Sequence, residues 1–125
     1  MSSFGIRVAE GPRVRGVFAT QDFAEGALIE IAPVYVFPVE DTINQVTSAF
    51  DWYLFRWGES CAVVFGYGSL YNHSYRPNAF YKRNFEKAEL HYVALRPIAA
   101  GEEITINYNG EPHSTEDVGF EVVES

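Results

Sequence analysis

The chain has 125 residues, of which 47% are hydrophobic, and a formal net charge of −8 with nine Lys and Arg. That length suits one domain with one core, able to bury roughly two-thirds of the unfolded surface unaided, and the apolar content excludes a disordered chain. The scattered basic residues argue against direct nucleic-acid binding, which needs a basic patch, and the single cysteine, Cys61, excludes an internal disulfide or a cysteine-rich zinc cluster.

In chain order, "FGIRV" alternates as a half-buried strand does, "GVFAT" follows a glycine, and "ALIEIAPVYVFP" holds two apolar runs split by Pro33. "DTINQVTSAF" is the one helical candidate, with Asp41 as N-cap and Ile43, Val46 and Phe50 at a helix-like period. "CAVVF", which carries Cys61 as a buried free thiol, "NAFYK", "LHYVAL" and "EITINY" continue the strand pattern. Two turns match, "DFAEGALIEI" and "PIAAGEEITINY", and a left-handed glycine before a strand explains both Gly26 and Gly101. The expectation is a mostly antiparallel β-domain with one short helix, a single domain over 1–125. No apolar run approaches ~18 residues and no basic-then-apolar leader opens the chain, so a soluble intracellular protein without membrane contact is expected. The segment 110–125 carries Glu111, Glu116, Asp117, Glu121 and Glu124 and no Lys or Arg. It reads as a solvated, partly frayed acidic tail or as a docking surface for a cationic peptide.

The stretch from Gly66 to Tyr81 packs Asn72, His73, four tyrosines and Pro77 into one turn-rich segment. Familiar catalytic patterns are missing around it. The serines lack a nucleophile elbow, and Cys61 has no histidine at suggestive spacing. His73, His91 and His113 lack metal-ligand spacing, so no metal is expected. "GYG" lacks a following helix or lysine, and Glu102 and Glu103 follow Gly101 at a turn where solvation is the default reading. What remains is an Asn-His pair among aromatic hydroxyls and an apolar strand ending in Tyr108. Transfer of a methyl group already activated by a sulfonium needs little more, because the donor carries the driving force and the protein binds, aligns and dehydrates. An aromatic channel strips water from a lysine side chain and favours its neutral amine.

"LYNHSYRPNAFY" resembles the Asn-His-Ser-x-x-Pro-Asn signature of SET-domain protein-lysine methyltransferases, and "GEEITINY" resembles their Gly-Glu-Glu-[LI]-Thr-x-x-Tyr signature. "RGVFAT" resembles their N-terminal Gly-x-Gly-[VL]-Phe-Ala strand and "DWYLF" the aromatic segment after their insert. All four occur in family order over 7–109, and the nearest likeness is to the minimal SET proteins of large DNA viruses and bacteria. The resemblance implies a SET-domain β-clip: short antiparallel sheets, a C-terminal pseudoknot that threads the Asn72–His73 segment with the one ending at Tyr108, and one or two short helices. It implies S-adenosylmethionine as cofactor, its charged amino end held by Asn72 and its adenine met by His73 largely through the backbone. Arg15, Gly16, Val17 and Phe18 match the strand whose backbone cradles the cofactor.

By the same resemblance Tyr108 stands beside the transferred methyl, and Tyr53 matches a lysine-channel aromatic, although "FDWYLFRW" also reads as ordinary core. Cysteine-rich flanking segments are absent, which leaves Phe120 in the acidic tail as the expected cofactor lid. Two departures stand out. Val14 replaces the first glycine of Gly-x-Gly, and Ile106 occupies a position often aromatic in the family and tied to how many methyls are added. The implied function is methyl transfer to a lysine in a protein, a histone tail or another basic segment, by a chain that can pair as a homodimer. The alternative is a noncatalytic SET module that binds a basic peptide or partner protein. The compartment follows the source: cytoplasm for a bacterial chain, host nucleus for a viral one.

Overall fold

Nine strands form among the residues that the computed structural model describes: 5–10, 15–37, 54–68 and 70–116. They are β1 (Ile6–Glu10), β2 (Arg15–Ala19), β3 (Leu28–Phe37), β4 (Leu54–Trp57), β5 (Ser60–Val64), β6 (Asn72–His73), β7 (Ala79–Asn84), β8 (Glu89–Ala94) and β9 (Glu103–Ile106). One sheet has the order β4-β5-β3-β8-β7 and the other β1-β2-β9-β6. Every pairing is antiparallel except β6 with β9, which is parallel. The mostly antiparallel β-domain expected from the alternation is present. The helical candidate at 41–50 lies outside the described residues.

Period-two alternation sets the core. On β8 Leu90, Tyr92 and Ala94 turn inward, and on β7 Ala79 and Tyr81 meet them. Ile6, Val17, Ile104 and Ile106 supply the apolar face of the other sheet. Fully burying each large apolar side chain stabilises the fold by about 1.5–3 kcal/mol.

Three sequence expectations change in detail. The two runs split by Pro33 are one ten-residue strand, β3. Its first part, Leu28 to Pro33, pairs with β8, and Val34 to Phe37 pair with β5. Pro33 sits at this change of partner, where its missing N–H costs no ladder bond, and its carbonyl still accepts from Phe65 N at 2.9 Å. Cys61 lies in a strand as expected but is half-buried rather than buried. The tail is fastened as far as Glu116: Asn107 Nδ2 donates to Ser114 O at 2.8 Å and Asn109 Nδ2 to Glu116 O at 2.9 Å.

The matched turns behave as expected. Gly26 and Gly101 have φ of 82° and 93°. Phe23 and Ile98, at equivalent places in the two turns, also pair with each other: Phe23 N donates to Ile98 O at 2.8 Å and Ile98 N to Phe23 O at 2.9 Å. One turn leads into β3 and the other into β9, so this bridge ties the two sheets together at their entrances. No helix among the described residues is long and apolar enough to cross a membrane.

Candidate active site

A strand of two residues has too few ladder bonds to hold itself, so β6 depends on its neighbours. Asn72 pairs with Thr105 and His73 with Ile106, and Ser74 N continues the ladder to Ile106 O at 2.9 Å. Asn78 acts as an extra strand on β9: its Oδ1 accepts from Thr105 N at 2.8 Å and its Nδ2 donates to Glu103 O at 2.8 Å. The side-chain amide thus pairs with β9 as a peptide group would, and it is buried. Ser74 Oγ accepts from Arg76 N at 2.9 Å and closes the turn between these two asparagines.

Asn72 Nδ2 donates to Arg15 O and to Glu103 Oε2, both at 2.8 Å. Two acceptors on one side fix the amide's orientation and turn its carbonyl oxygen away from both. Gly16 permits this approach, since a Cβ there would collide with Glu103 Oε2 and stand 2.8 Å from Asn72 Nδ2. The Asn72 NH₂ thus meets a strand carbonyl and a carboxylate at the start of β2. The lone pairs these bonds leave over, with the outward-turned Asn72 amide oxygen, suit a cationic donor such as an ammonium.

Tyr108 lies at the end of the same strand system. Its hydroxyl donates to Tyr71 O at 2.7 Å and its backbone N–H to His73 Nδ1 at 2.9 Å. His73 is buried, its ring edge-on to Tyr75 at 4.4 Å and to Tyr108 at 5.2 Å between centroids. Because Nδ1 accepts, that nitrogen carries no proton, and the imidazole fastens the backbone of Tyr108. A phenol that donates to a carbonyl keeps its oxygen lone pairs for a further N–H or polarised C–H. Tyr108 is 36% exposed, so a partner can reach it.

Tyr71 is buried, stacked on Tyr92 at 4.4 Å, with its hydroxyl donating to Glu30 Oε1 at 2.7 Å. Burial, then the nearby Glu30 charge, pushes the Tyr71 phenol well above its usual range and keeps it a donor. Glu30 also accepts from Tyr67 N at 2.9 Å. Burial raises the carboxyl of Glu30, against the lowering effect of those two hydrogen bonds. Glu102 goes the other way: burial alone would raise it, but bonds from Ala99 N, Asn78 and Arg96 prevail and hold it low.

The structure thus brings together Arg15, Gly16 and Asn72 on one side and His73 and Tyr108 on the other, joined through β6. Val17 is buried in the core opposite Ile104, and half-buried Phe18 lies under Arg7 at 6.0 Å, so neither side chain joins the polar cluster. Tyr53 and Phe120 lie outside the described residues, as does Val14. Glu103 is a correction to the sequence reading, for the carboxylate expected to be solvated is bonded to Asn72. Glu30 went unread altogether. Its one sequence signal is a charge between Ile29 and Ile31 in an apolar strand.

The arrangement aligns groups through fixed acceptors and one oriented hydroxyl, the equipment for transfer from a pre-activated donor. Two sheets tied at the Phe23–Ile98 bridge, one of them edged by the two-residue parallel strand β6, give the architecture, and the comparisons give the family. The SET domain family matches residues 14–109, and the chain belongs to it. A histone-lysine N-methyltransferase of Schizosaccharomyces pombe, H3 lysine-37 specific, is 34% identical over 97 residues, covering 75% of this chain and 65% of that protein. The chain therefore spans slightly less than two thirds of that relative's length. The crystal structure of a Plasmodium falciparum protein described as a candidate histone methyltransferase superposes with a TM-score of 0.72 at 25% identity, covering 86% of this chain and 95% of the other. Chaetomium thermophilum Polycomb Repressive Complex 2, in a humanized mutant form bound to the inhibitor GSK126, gives a TM-score of 0.70 at 18% identity over 86% of this chain and 15% of that one. This last likeness concerns the fold alone.

Proposed function

We propose that this chain is a protein-lysine N-methyltransferase that uses S-adenosylmethionine and acts on a lysine in a basic protein segment, with a histone tail as the first choice. The observation that carries the reading is the acceptor cluster at Asn72 and Gly16 joined through β6 to the oriented hydroxyl of Tyr108, in a member of the SET family. The residues fit the cofactor, whose ammonium end suits the Asn72 amide oxygen that the two bonds from its NH₂ leave turned outward. When bound, S-adenosylmethionine supplies a methyl group already activated by its sulfonium.

The chain's own residues do the rest. Asn72 would hold the ammonium through its amide oxygen, and the backbone from Arg15 to Phe18 and at His73 would hold the rest of the cofactor. Tyr108, pinned at both its hydroxyl and its N–H, offers its phenol oxygen to aim the acceptor amine. Tyr53 serves as a channel aromatic that excludes water from the lysine, and Phe120 as the cover over the cofactor. Dehydration disfavours the charged ammonium of lysine and leaves the nucleophilic amine.

Two relatives, one a histone-lysine methyltransferase and one described as a candidate histone methyltransferase, favour a histone over a ribosomal protein. The net charge of −8 suits a cationic tail. The remaining features of this reading are a single domain over 1–125 with its motif-bearing core at 7–109, a pseudoknot of the Asn72 and Tyr108 segments, one or two short helices, and homodimer formation. The parallel β6–β9 pairing supports the threading. Kinship with the minimal viral and bacterial SET proteins rests on the four motifs in order, and the compartment would follow that kinship.

The test is mass spectrometry of core histones, and separately of a host lysate, incubated with S-adenosylmethionine and the protein or Tyr108→Phe. Methyl mass gained on lysine and falling about 10²-fold or more in the variant is the expected result. No transfer combined with no cofactor binding by calorimetry would overturn the reading in favour of a noncatalytic binding module.

A further inference from the structure

Glu30 is the one carboxylate of the five-stranded sheet whose two oxygens both hold the segment leading to Asn72. Oε2 accepts from Tyr67 N at 2.9 Å and Oε1 from Tyr71 OH at 2.7 Å. The chain turns tightly around it. Gly66 has φ +69°, and a Cβ there would stand 2.5 Å from Glu30 Oε2. Tyr71 is therefore clamped twice, by this carboxylate at its hydroxyl and by the Tyr92 ring at 4.4 Å on its face. Tyr92 is itself fixed, opposite Glu30 in the β3–β8 pairing and with its hydroxyl donating to Gly68 O at 2.9 Å. The backbone carbonyl of this clamped Tyr71 accepts the hydroxyl of Tyr108 at 2.7 Å.

We propose that Glu30 is a positioning residue for the Tyr108 hydroxyl, acting through the side chain and carbonyl of Tyr71. The inference rests on the methyltransferase reading for its functional consequence, although the geometry it describes stands without it. A half-buried carboxylate loses hydration, so the fold alone gains little by choosing one over an apolar side chain. What the carboxylate does is accept two donors at once from residues four apart, which fixes both ends of the turn before Asn72. No side chain without an acceptor does this. With it removed, the buried Tyr71 hydroxyl and the Tyr67 N–H lose their partner, and Tyr71 shifts to find another. A shift of a fraction of an ångström in its carbonyl redirects the Tyr108 phenol, and misplacement of about 1 Å in an aligned site can cost on the order of 10²-fold in rate. Glutamine retains both contacts, because its amide oxygen can accept from Tyr67 N while its NH₂ donates to a reversed Tyr71 hydroxyl.

The experiment compares Glu30→Ala, Glu30→Gln, Tyr71→Phe and, as a packing control in the same sheet, Leu90→Ala. Each protein carries tyrosine labelled with ¹³C at Cζ, with the Tyr108 resonance assigned by its loss in Tyr108→Phe. Cofactor affinity is measured by calorimetry, and kcat with the histone substrate. The expected result is a displaced Tyr108 resonance and a kcat lower by about ten- to a hundredfold in Glu30→Ala. Cofactor Kd should stay within about twofold (under ~0.5 kcal/mol). Glu30→Gln should restore the resonance and most of kcat, Tyr71→Phe should show part of the displacement, and Leu90→Ala should show none. If Glu30→Ala fails to fold, Tyr71→Phe decides the matter through the same resonance. An unmoved Tyr108 resonance in the folded variants overturns the inference whatever the activity. A moved resonance in a protein that binds no cofactor and transfers no methyl upholds the positioning and overturns the reaction assigned to it.

Discussion

In the five-stranded sheet Leu90, Tyr92 and Ala94 turn inward in strict alternation and are fully buried, whereas the four-stranded sheet closes on a strand of two residues fastened by the side chains of Asn72, Asn78 and Glu103. Apolar burial is non-directional, so the first region gains stability from many interchangeable contacts. Amides and carboxylates are directional, so the second gains defined positions from a few bonds that nothing else replaces. The difference teaches where function sits. The large sheet supplies most of the apolar core and lends Glu30 and Tyr92 to the site, while the small one sets the groups at Gly16 and carries the chain into Tyr108.

The strongest way to break this contrast is Leu90→Ala, in the middle of β8. Truncation should lower unfolding free energy by about 2–5 kcal/mol in denaturant titration. Cofactor affinity of the folded fraction should be unchanged, and a parallel loss of affinity would mean that the sheets do not divide these tasks. Asn78→Ala comes next. Thr105 N and Glu103 O would each lose a partner, at a cost of about 1–3 kcal/mol for each group left unsatisfied. Hydrogen exchange at the Thr105 amide, relative to amides of the five-stranded sheet, should accelerate in this variant more than in Leu90→Ala.

Gly16→Ala tests position with little change in packing. The new methyl must displace Glu103 or Asn72, and cofactor Kd should weaken about tenfold, roughly 1.4 kcal/mol, by calorimetry. Unchanged affinity would show that the acceptor cluster is not the cofactor seat.

The smallest effect concerns two carboxylates, one serving each sheet. Glu30 is raised above the ordinary value of 4.5, so its contribution is full below that value and is lost as pH rises through its folded-state pKa. Glu102 is lowered, so its contribution is present above 4.5 and is lost as pH falls through its folded-state pKa. Urea titrations across pH should show Glu30→Gln removing a decline on the alkaline side of 4.5 and Glu102→Gln removing one on the acidic side. Slopes of the same sign for both would mean that hydrogen bonds outweigh burial at Glu30 as they do at Glu102.

Much of this frame was legible in the sequence. Alternation located the strands, matched glycines located the turns at Gly26 and Gly101, and the motifs singled out Asn72, His73 and Tyr108. Alternation reports which face of a strand is buried, but it carries no information about which distant donor meets a polar residue. Glu103 therefore read as solvated, when Asn72 lies against it from a strand 31 positions earlier. Glu30 went unread for the same reason, its donors coming 37 and 41 positions later. His73 was read as meeting the cofactor through its backbone, and its ring proved to be spent on Tyr108 N. Pro33 showed the converse, a visible break that marks a change of partner rather than a strand end.

The place of β9 has a consequence in time. It is the last of the described strands in the chain, yet it lies between β2 and β6 in its sheet, with Val17 beside Ile104 and Asn72 beside Thr105. Such distant pairings form late, because the intervening chain must be ordered before they give any return. During synthesis the earlier strands leave the ribosome first and wait, and the edges that will flank β9 stay open until it arrives. A nascent chain short of Glu103 has no Asn72–Glu103 contact and no Tyr108, so the candidate site should form only once β9 is present rather than grow with chain length.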